Sequence, residues 1–183
     1  MTASNPLQRV RPLIRVRQTR HFTPEPPTAS QLEAISEAAR WSGSSQNTQP
    51  WRFIVLRDRA LIERIAEVGM PLTRALTTAS AAIAIAMPTD PGHRLSYAFD
   101  EGRAAERILI AATFVGLRAG VCWPPAEVRE RIGGMIGIPR DRSVRTIMAI
   151  GHPTAEGLKP NSPPGAARLP HDEVVLEPAG NQA

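Results

Sequence analysis

The sequence holds one cysteine, one tyrosine and one lysine. Cys122 alone forms no intramolecular disulfide, so a reducing, cytoplasmic setting is the default expectation. With Lys159 the only lysine, the net charge of +5 is carried by arginine. The arginines are scattered, and no helix-turn-helix, zinc-finger or RNA-binding signature accompanies them, so nucleic acid is not an expected partner. No apolar run reaches the roughly 18 residues of a membrane-spanning helix, and no membrane partner is expected. Residues 1–20 contain arginine but lack the apolar centre of a secretory signal, so none is expected there. The histidines, His21, His93, His152 and His171, have no metal-ligand spacing, and no metal is expected. No Ser/His/Asp order, paired carboxylates or glycine-rich dinucleotide fingerprint appears, so no side chain is expected to act as acid, base or nucleophile. With 183 residues, 42% hydrophobic and 21% charged, the chain still has the length and composition of one soluble globular domain.

What is present is concentrated in residues 38–58, AARWSGSSQNTQPWRFIVLRD. A helical pattern closes at Trp41. Residues 42–50 then form a polar, turn-rich loop without a large apolar side chain, and residues 51–56 read as a strand. Loops held between rigid elements are where ligand contacts gather, and Ser, Asn and Gln offer donors and acceptors together.

Around this centre the chain reads as alternating short elements. Residues 1–13 are expected to be weakly packed. Ile14 to Phe22 brings Arg15, Arg17 and Arg20 together, a grouping suited to a phosphate. Thr28 and Gln31 form a capping-box pattern for a helix running to about Trp41. Asp58 is placed to cap a helix over 59–68. A short helix or turn is expected over 71–78, a buried strand over 81–87 and a loop over 89–97. The longest helix is expected to open at Asp100 and to end near Val115, with Gly116 as its C′ residue. A strand over 119–123, a helix over 125–133 and a strand over 144–150 follow. Cys122 is expected to be a buried small residue rather than a redox thiol.

Patches spread in order over residues 17–170 resemble the nitroreductase family of flavin mononucleotide (FMN) enzymes. In the central stretch Ser44, Asn47, Gln49, Pro50 and Trp51 match a helix ending AAxxAPS, a loop with Asn, then QPW and a strand; Gly43 stands where the family usually has Pro. Arg17, Arg20 and Phe22 match RRSxRxF, with Val16 and Gln18 departing and Arg15 a possible substitute for the first Arg. Asp100, Gly102, Ala104, Leu109, Ala111, Ala112, Gly116 and Leu117 match DxGxAxxNLLLAAxxxGLG. Gly151-His152-Pro153 resembles the end of IALGYP, and Ala167-Arg168-Leu169-Pro170 resembles a closing RKPL.

The resemblance implies a single α+β domain over residues 1–183, with 1–13 and 172–183 as loose tails. It implies a three-layer fold, a mixed, mainly antiparallel sheet flanked by helices, and an interlocked homodimer with FMN at the interface. The residues it assigns to the cofactor are Arg17, Gln18, Arg20, Ser44, Ser45, Asn47, Gln49, Trp123 and Arg168. Arg17, Arg20 and Arg168 would meet the phosphate, Arg17 or Arg20 also the reduced ring. Ser44 and Asn47 would read the polar edge or the ribityl chain. A backbone N–H after the strand at 119–123 would face the reactive N5; Pro124 and Pro125 cannot donate, which leaves Trp123 or Ala126. The implied reaction takes a hydride from NADH or NADPH and passes electrons to a small electron-poor acceptor, a quinone or nitroaromatic, in a ping-pong cycle. The short 70–97 region implies an open pocket. Two alternatives stay open: a flavin-consuming or dehalogenating enzyme on the same fold, and a non-catalytic flavin carrier or sensor.

Overall fold

The computed structural model describes residues 5–159 and 168–178. Four strands, β1 (Arg52–Leu56), β2 (Ala81–Pro88), β3 (Arg118–Cys122) and β4 (Arg142–Gly151), form one sheet in the order β1-β2-β4-β3. β2 and β4 are its interior strands, which is why residues 81–87 read as an unbroken apolar run and are all buried. Alternation sorts their side chains. Ala81, Ile83, Ile85 and Met87 pack towards α2 (Ala29–Arg40) and α4 (Arg94–Phe114). Ala82, Ala84 and Ala86 pack towards α3 (Arg59–Gly69) and α5 (Arg129–Met135). Helices therefore cover both faces, and the three layers and the α+β class are as expected. All three strand pairings are antiparallel, so the mixed character expected of the sheet is not found among the described residues.

The local end signals behave as read. Thr28 Oγ1 accepts from Gln31 N–H, and Thr28 N–H donates to Gln31 Oε1 at 2.8 Å, completing the capping box. Asp58 accepts from Ala60 and Leu61 N–H. Gly116, at φ +82°, ends α4 in a Schellman arrangement, with Leu117 N–H donating to Ala112 O at 2.8 Å.

Three boundaries differ. The expected loop over 89–97 is largely helical: Pro91 opens a short 3-10 turn and α4 starts at Arg94. Asp100, expected to open the longest helix, lies inside it, its carboxylate turned to another part of the chain. The weakly packed 1–13 region contains α1 (Pro6–Ile14), capped by Asn5 and opened by Pro6, with none of its residues buried. The tail expected to be loose begins with the single turn α6 (His171–Val174), which is exposed. Among the described residues no helix is long and apolar enough to cross a membrane.

Candidate functional site

β3 is an edge strand, and residues 17–22 lie along it. Thr19 N–H donates to Ala119 O at 3.0 Å, and Val121 N–H donates to Gln18 Oε1 at 3.2 Å. Thr19 Oγ1 donates to Gly157 O at 2.6 Å, and Phe22 bridges to Pro153. So close an approach requires Gly120, where a Cβ would stand 2.1 Å from Thr19 O.

Two hollows meet at this junction, with Val121 and Trp123 in the wall of each. One, of about 340 Å³, adds Arg20, Pro71, Leu72, Arg74 and Ala75. Among the described residues it is lined by two arginines and no carboxylate. The other, of about 230 Å³, adds Gln18, Glu101, Arg145 and Thr146. Trp123 is 60% exposed, and its indole N–H donates to Thr146 Oγ1 at 3.0 Å, which fixes the ring. Glu101, only 2% exposed, is held by Arg145: Nε donates to Oε2 at 2.9 Å and Nη2 reaches the same oxygen. Cys122, next to Trp123, faces the opposite layer. Burial raises its thiol to about 11, against smaller opposing effects of backbone hydrogen bonds from Leu76 and Ala75 and the charge of Arg20. That thiol is not a nucleophile at neutral pH.

Larger hollows lie elsewhere. One of about 750 Å³ runs between α2 and Trp51–Phe53. On its rim the Glu37 carboxylate is held down to about 2 by hydrogen bonds from Arg40 and then Trp41, so those charges serve each other. Another, of about 670 Å³, follows α4 past Leu95, Phe99 and Ile110 and is walled mainly by apolar atoms.

The central loop is held from α4. Ser45 N–H donates to both Asp100 oxygens, at 3.1 and 3.2 Å, and Asp100 is 2% exposed. Ser44 Oγ accepts from Gln49 N–H at 2.9 Å. Within this frame Gln46, Asn47 and Gln49 all take positive φ, +49°, +56° and +49°. Asn tolerates that region; Gln has no such preference, and a strained residue of this kind costs about 1–3 kcal/mol. Such strain persists only where surrounding structure imposes it, and here Asp100 and Ser44 do so.

The structure thus brings Gln18, Arg20 and Trp123 to one junction and leaves the other expected residues apart from it. Ser44, Ser45 and Asn47 line neither hollow at Trp123, and Gln49 faces the cleft beside α2. The Arg17 guanidinium folds back onto the carbonyls of Ile14 and Val16. Arg168 is exposed. Trp123 N–H is directed at Leu72 O, at 3.4 Å. Sequence reasoning missed Arg74, Glu101, Arg145 and Thr146. The one signal for them was Glu101 itself, an acid in the middle of an otherwise apolar helix face.

The family model described as the nitroreductase family matches residues 15–86. A protein of Archaeoglobus fulgidus named NADH dehydrogenase/NAD(P)H nitroreductase is 34% identical over 135 residues, spanning 68% of this chain and 74% of that one. Among solved structures, NfrA2 of B. megaterium aligns with a TM-score of 0.79 at 19% identity, over 94% of this chain and 75% of that one. An FMN-dependent nitroreductase from Clostridium difficile aligns with a TM-score of 0.68 at 23% identity, over 75% and 83%. These last two are likenesses of fold.

Proposed function

The chain belongs to the nitroreductase family, and on that premise we propose that it is an FMN-dependent NAD(P)H oxidoreductase, a single domain over residues 1–183 acting as an interlocked homodimer. The observation that carries the reading is the junction at Trp123. Arg20 and Arg74, from separate segments, line one hollow with no carboxylate among the described residues, and Gln18 lines the next. Cofactor pockets run from about 300 to 1,000 Å³, so the hollow of about 340 Å³, continued by its neighbour, accommodates part of a large planar group. The residues fit FMN: fixed positive charge suits its phosphate and its reduced ring, and the indole of Trp123 gives a flat apolar wall.

When bound, FMN would supply the redox chemistry, taking a hydride from NADH or NADPH and returning electrons to a small electron-poor acceptor such as a quinone or nitroaromatic, in a ping-pong cycle. The chain's own residues bind and orient. Arg20 and Arg74 stabilise negative charge without a proton transfer, because guanidinium stays protonated. Val121 and Trp123 exclude water from one face. Ser44, Ser45, Asn47 and Gln49 of a second copy would close the other side, with Arg17 and Arg168 near the phosphate. Two observations support the second copy. The strained loop lies away from its own chain's junction, and α4 leaves Leu95, Phe99 and Phe114 at 74%, 69% and 64% exposure. Apolar exposure of that kind marks an interface.

A flavin carrier or sensor is the second reading. It is favoured by one observation: Pro124 and Pro125 have no N–H to donate, and that of Trp123 is already aimed at Leu72 O. Anaerobic mixing of the yellow holoprotein with NADH and with NADPH decides between them. The oxidoreductase bleaches with at least one nucleotide and recovers on adding a quinone. A protein bleached by dithionite alone is the carrier.

A further inference from the structure

We infer that Glu101 and Arg145 form a subsite for an amide edge, an N–H donor beside a carbonyl acceptor, in the hollow next to Trp123. An Arg–carboxylate pair ordinarily spreads two N–H groups over two oxygens. Here Nε and Nη2 of Arg145 both reach Glu101 Oε2. Glu101 Oε1 is buried and has no hydrogen-bond partner among the described residues. A desolvated carboxylate oxygen without a donor is unfavourable, and a ligand N–H placed there restores what burial removed.

Arg145 supplies the other half. The register of β2 against β4 shifts between Ile85 and Ala86, so Thr146 pairs with Ile85 and Val144 with Ala86, while Arg145 has no partner. This bulge turns Arg145 to the α4 side together with Thr146. Its side chain is 32% exposed, and Nη1 makes no hydrogen bond among the described residues. At this corner of the hollow, whose lining also includes Gln18 and the exposed Glu106, the pair offers one acceptor and one donor side by side. A carboxylate ligand would meet the charge of Glu101, an ammonium that of Arg145, and a ketone would leave Oε1 unserved. A primary carboxamide satisfies both, and about 230 Å³ between Val121, Leu109 and Trp123 holds one aromatic ring bearing it.

Resting on the oxidoreductase reading, that amide has two sources: the nicotinamide of the reductant, or a carboxamide on the acceptor. Kinetics on FMN-loaded protein separate them. One arm compares NADH with its reduced acetylpyridine analogue, in which a methyl ketone replaces the carboxamide. The other compares para-nitrobenzamide with para-nitroacetophenone. One arm should show a preference for the amide of roughly tenfold to a hundredfold in kcat/KM. Glu101→Gln should abolish that preference, because Arg145 holds the Gln oxygen and leaves its NH₂ where the acceptor was. Arg145→Lys should weaken amide and ketone alike.

A second readout needs no turnover. The indole N–H resonance of Trp123, titrated with nicotinamide, benzamide or acetylpyridine, should respond to an amide at roughly tenfold lower concentration than to the ketone. If that preference holds while no nucleotide bleaches the flavin, the oxidoreductase reading fails and the subsite stands. Equal response to amide and ketone in the unaltered protein overturns the subsite, as does full preference in Glu101→Gln.

Discussion

Replacing Gly120 by Ala tests whether the segment over residues 17–22, proposed to face the cofactor, owes its position to one missing side chain. The added Cβ would lie 2.1 Å from Thr19 O and 3.3 Å from its carbonyl carbon. Both obstacles are backbone, so residues 17–22 must move outward by about 1 Å to reach an ordinary contact near 3 Å. Such a movement breaks the bond from Thr19 N–H to Ala119 O and that from Val121 N–H to Gln18 Oε1. Each is worth about 1 kcal/mol net, and the strain of forcing a methyl into a packed junction adds about 1–3 kcal/mol. The expected loss is therefore about 3–5 kcal/mol, a large share of the roughly 5–15 kcal/mol of a typical domain. For a chain of this length it should lower Tm by roughly 10 °C. Urea and thermal unfolding measure it, with Gly134→Ala as the matched control. At Gly134, inside α5, a Cβ meets nothing within 4 Å, and Ala should stabilise by about 0.5–1 kcal/mol. A Gly120→Ala protein within about 0.5 kcal/mol of wild type would refute the reasoning. The strand edge would then be yielding, and Gln18 and Arg20 would not be fixed by it.

The remaining expectations are independent of that one. Arg20→Ala and Arg74→Ala should each weaken FMN binding by roughly tenfold to a hundredfold in titration of the apoprotein; unchanged affinity in both removes the hollow they share from the cofactor site. Gln46→Gly should raise the unfolding free energy by about 1 kcal/mol, since glycine accepts a φ of +49° freely; a loss of stability in denaturant titration would show that the loop is not strained there. Cys122 should stay unmodified by a thiol reagent at pH 8 until denaturant is added. Because burial raises its thiol from the ordinary 9.0 to about 11, the unfolded chain releases that proton first, so stability should fall as pH climbs from 9 towards 11. A pH-independent midpoint across that window, or rapid native labelling, would contradict its burial.

Signals confined to one turn of chain were legible. Thr28 with Gln31, Asp58 and Gly116 act through backbone groups two to four residues away, so the sequence contains both partners. What misled was a residue whose partner lies elsewhere. The longest helix is expected to open at Asp100; in the fold the Asp100 carboxylate accepts from Ser45 N–H, and α4 begins six residues earlier, at Arg94. α1 lies within residues expected to be weakly packed; it carries Pro12 inside it, a residue that ordinarily breaks a helix, and buries none of its side chains. Arg145 departs from the simple alternation of its strand, because a bulge that no local pattern announces turns it to the α4 side. Nothing near Arg74 reveals that the fold sets it beside Arg20. That proximity comes from how the 3-10 turn at Arg74–Thr77 packs against β3.

The early start of α4 also bears on function. Consecutive residues of an α-helix are about 100° apart around its axis, so Asp100 and Glu101 cannot serve the same side. Asp100 reaches out to the central loop and fixes Ser45, holding three left-handed residues in place. Glu101 turns inward to Arg145 and the hollow beside Trp123. One rigid helix of 21 residues therefore carries both the loop that would be offered to a second copy and a wall of the chain's own hollow. Had the helix begun at Asp100, both residues would sit in a first turn whose N–H groups lack intrahelical partners. With a turn and a half of helix preceding them, backbone hydrogen bonds on both sides fix their directions. The Asp-x-Gly pattern is thus less a helix start than the point where one element orients two sites, and the apolar side chains of Leu95 and Phe99 in the preceding turns lie beside it on the same exposed surface.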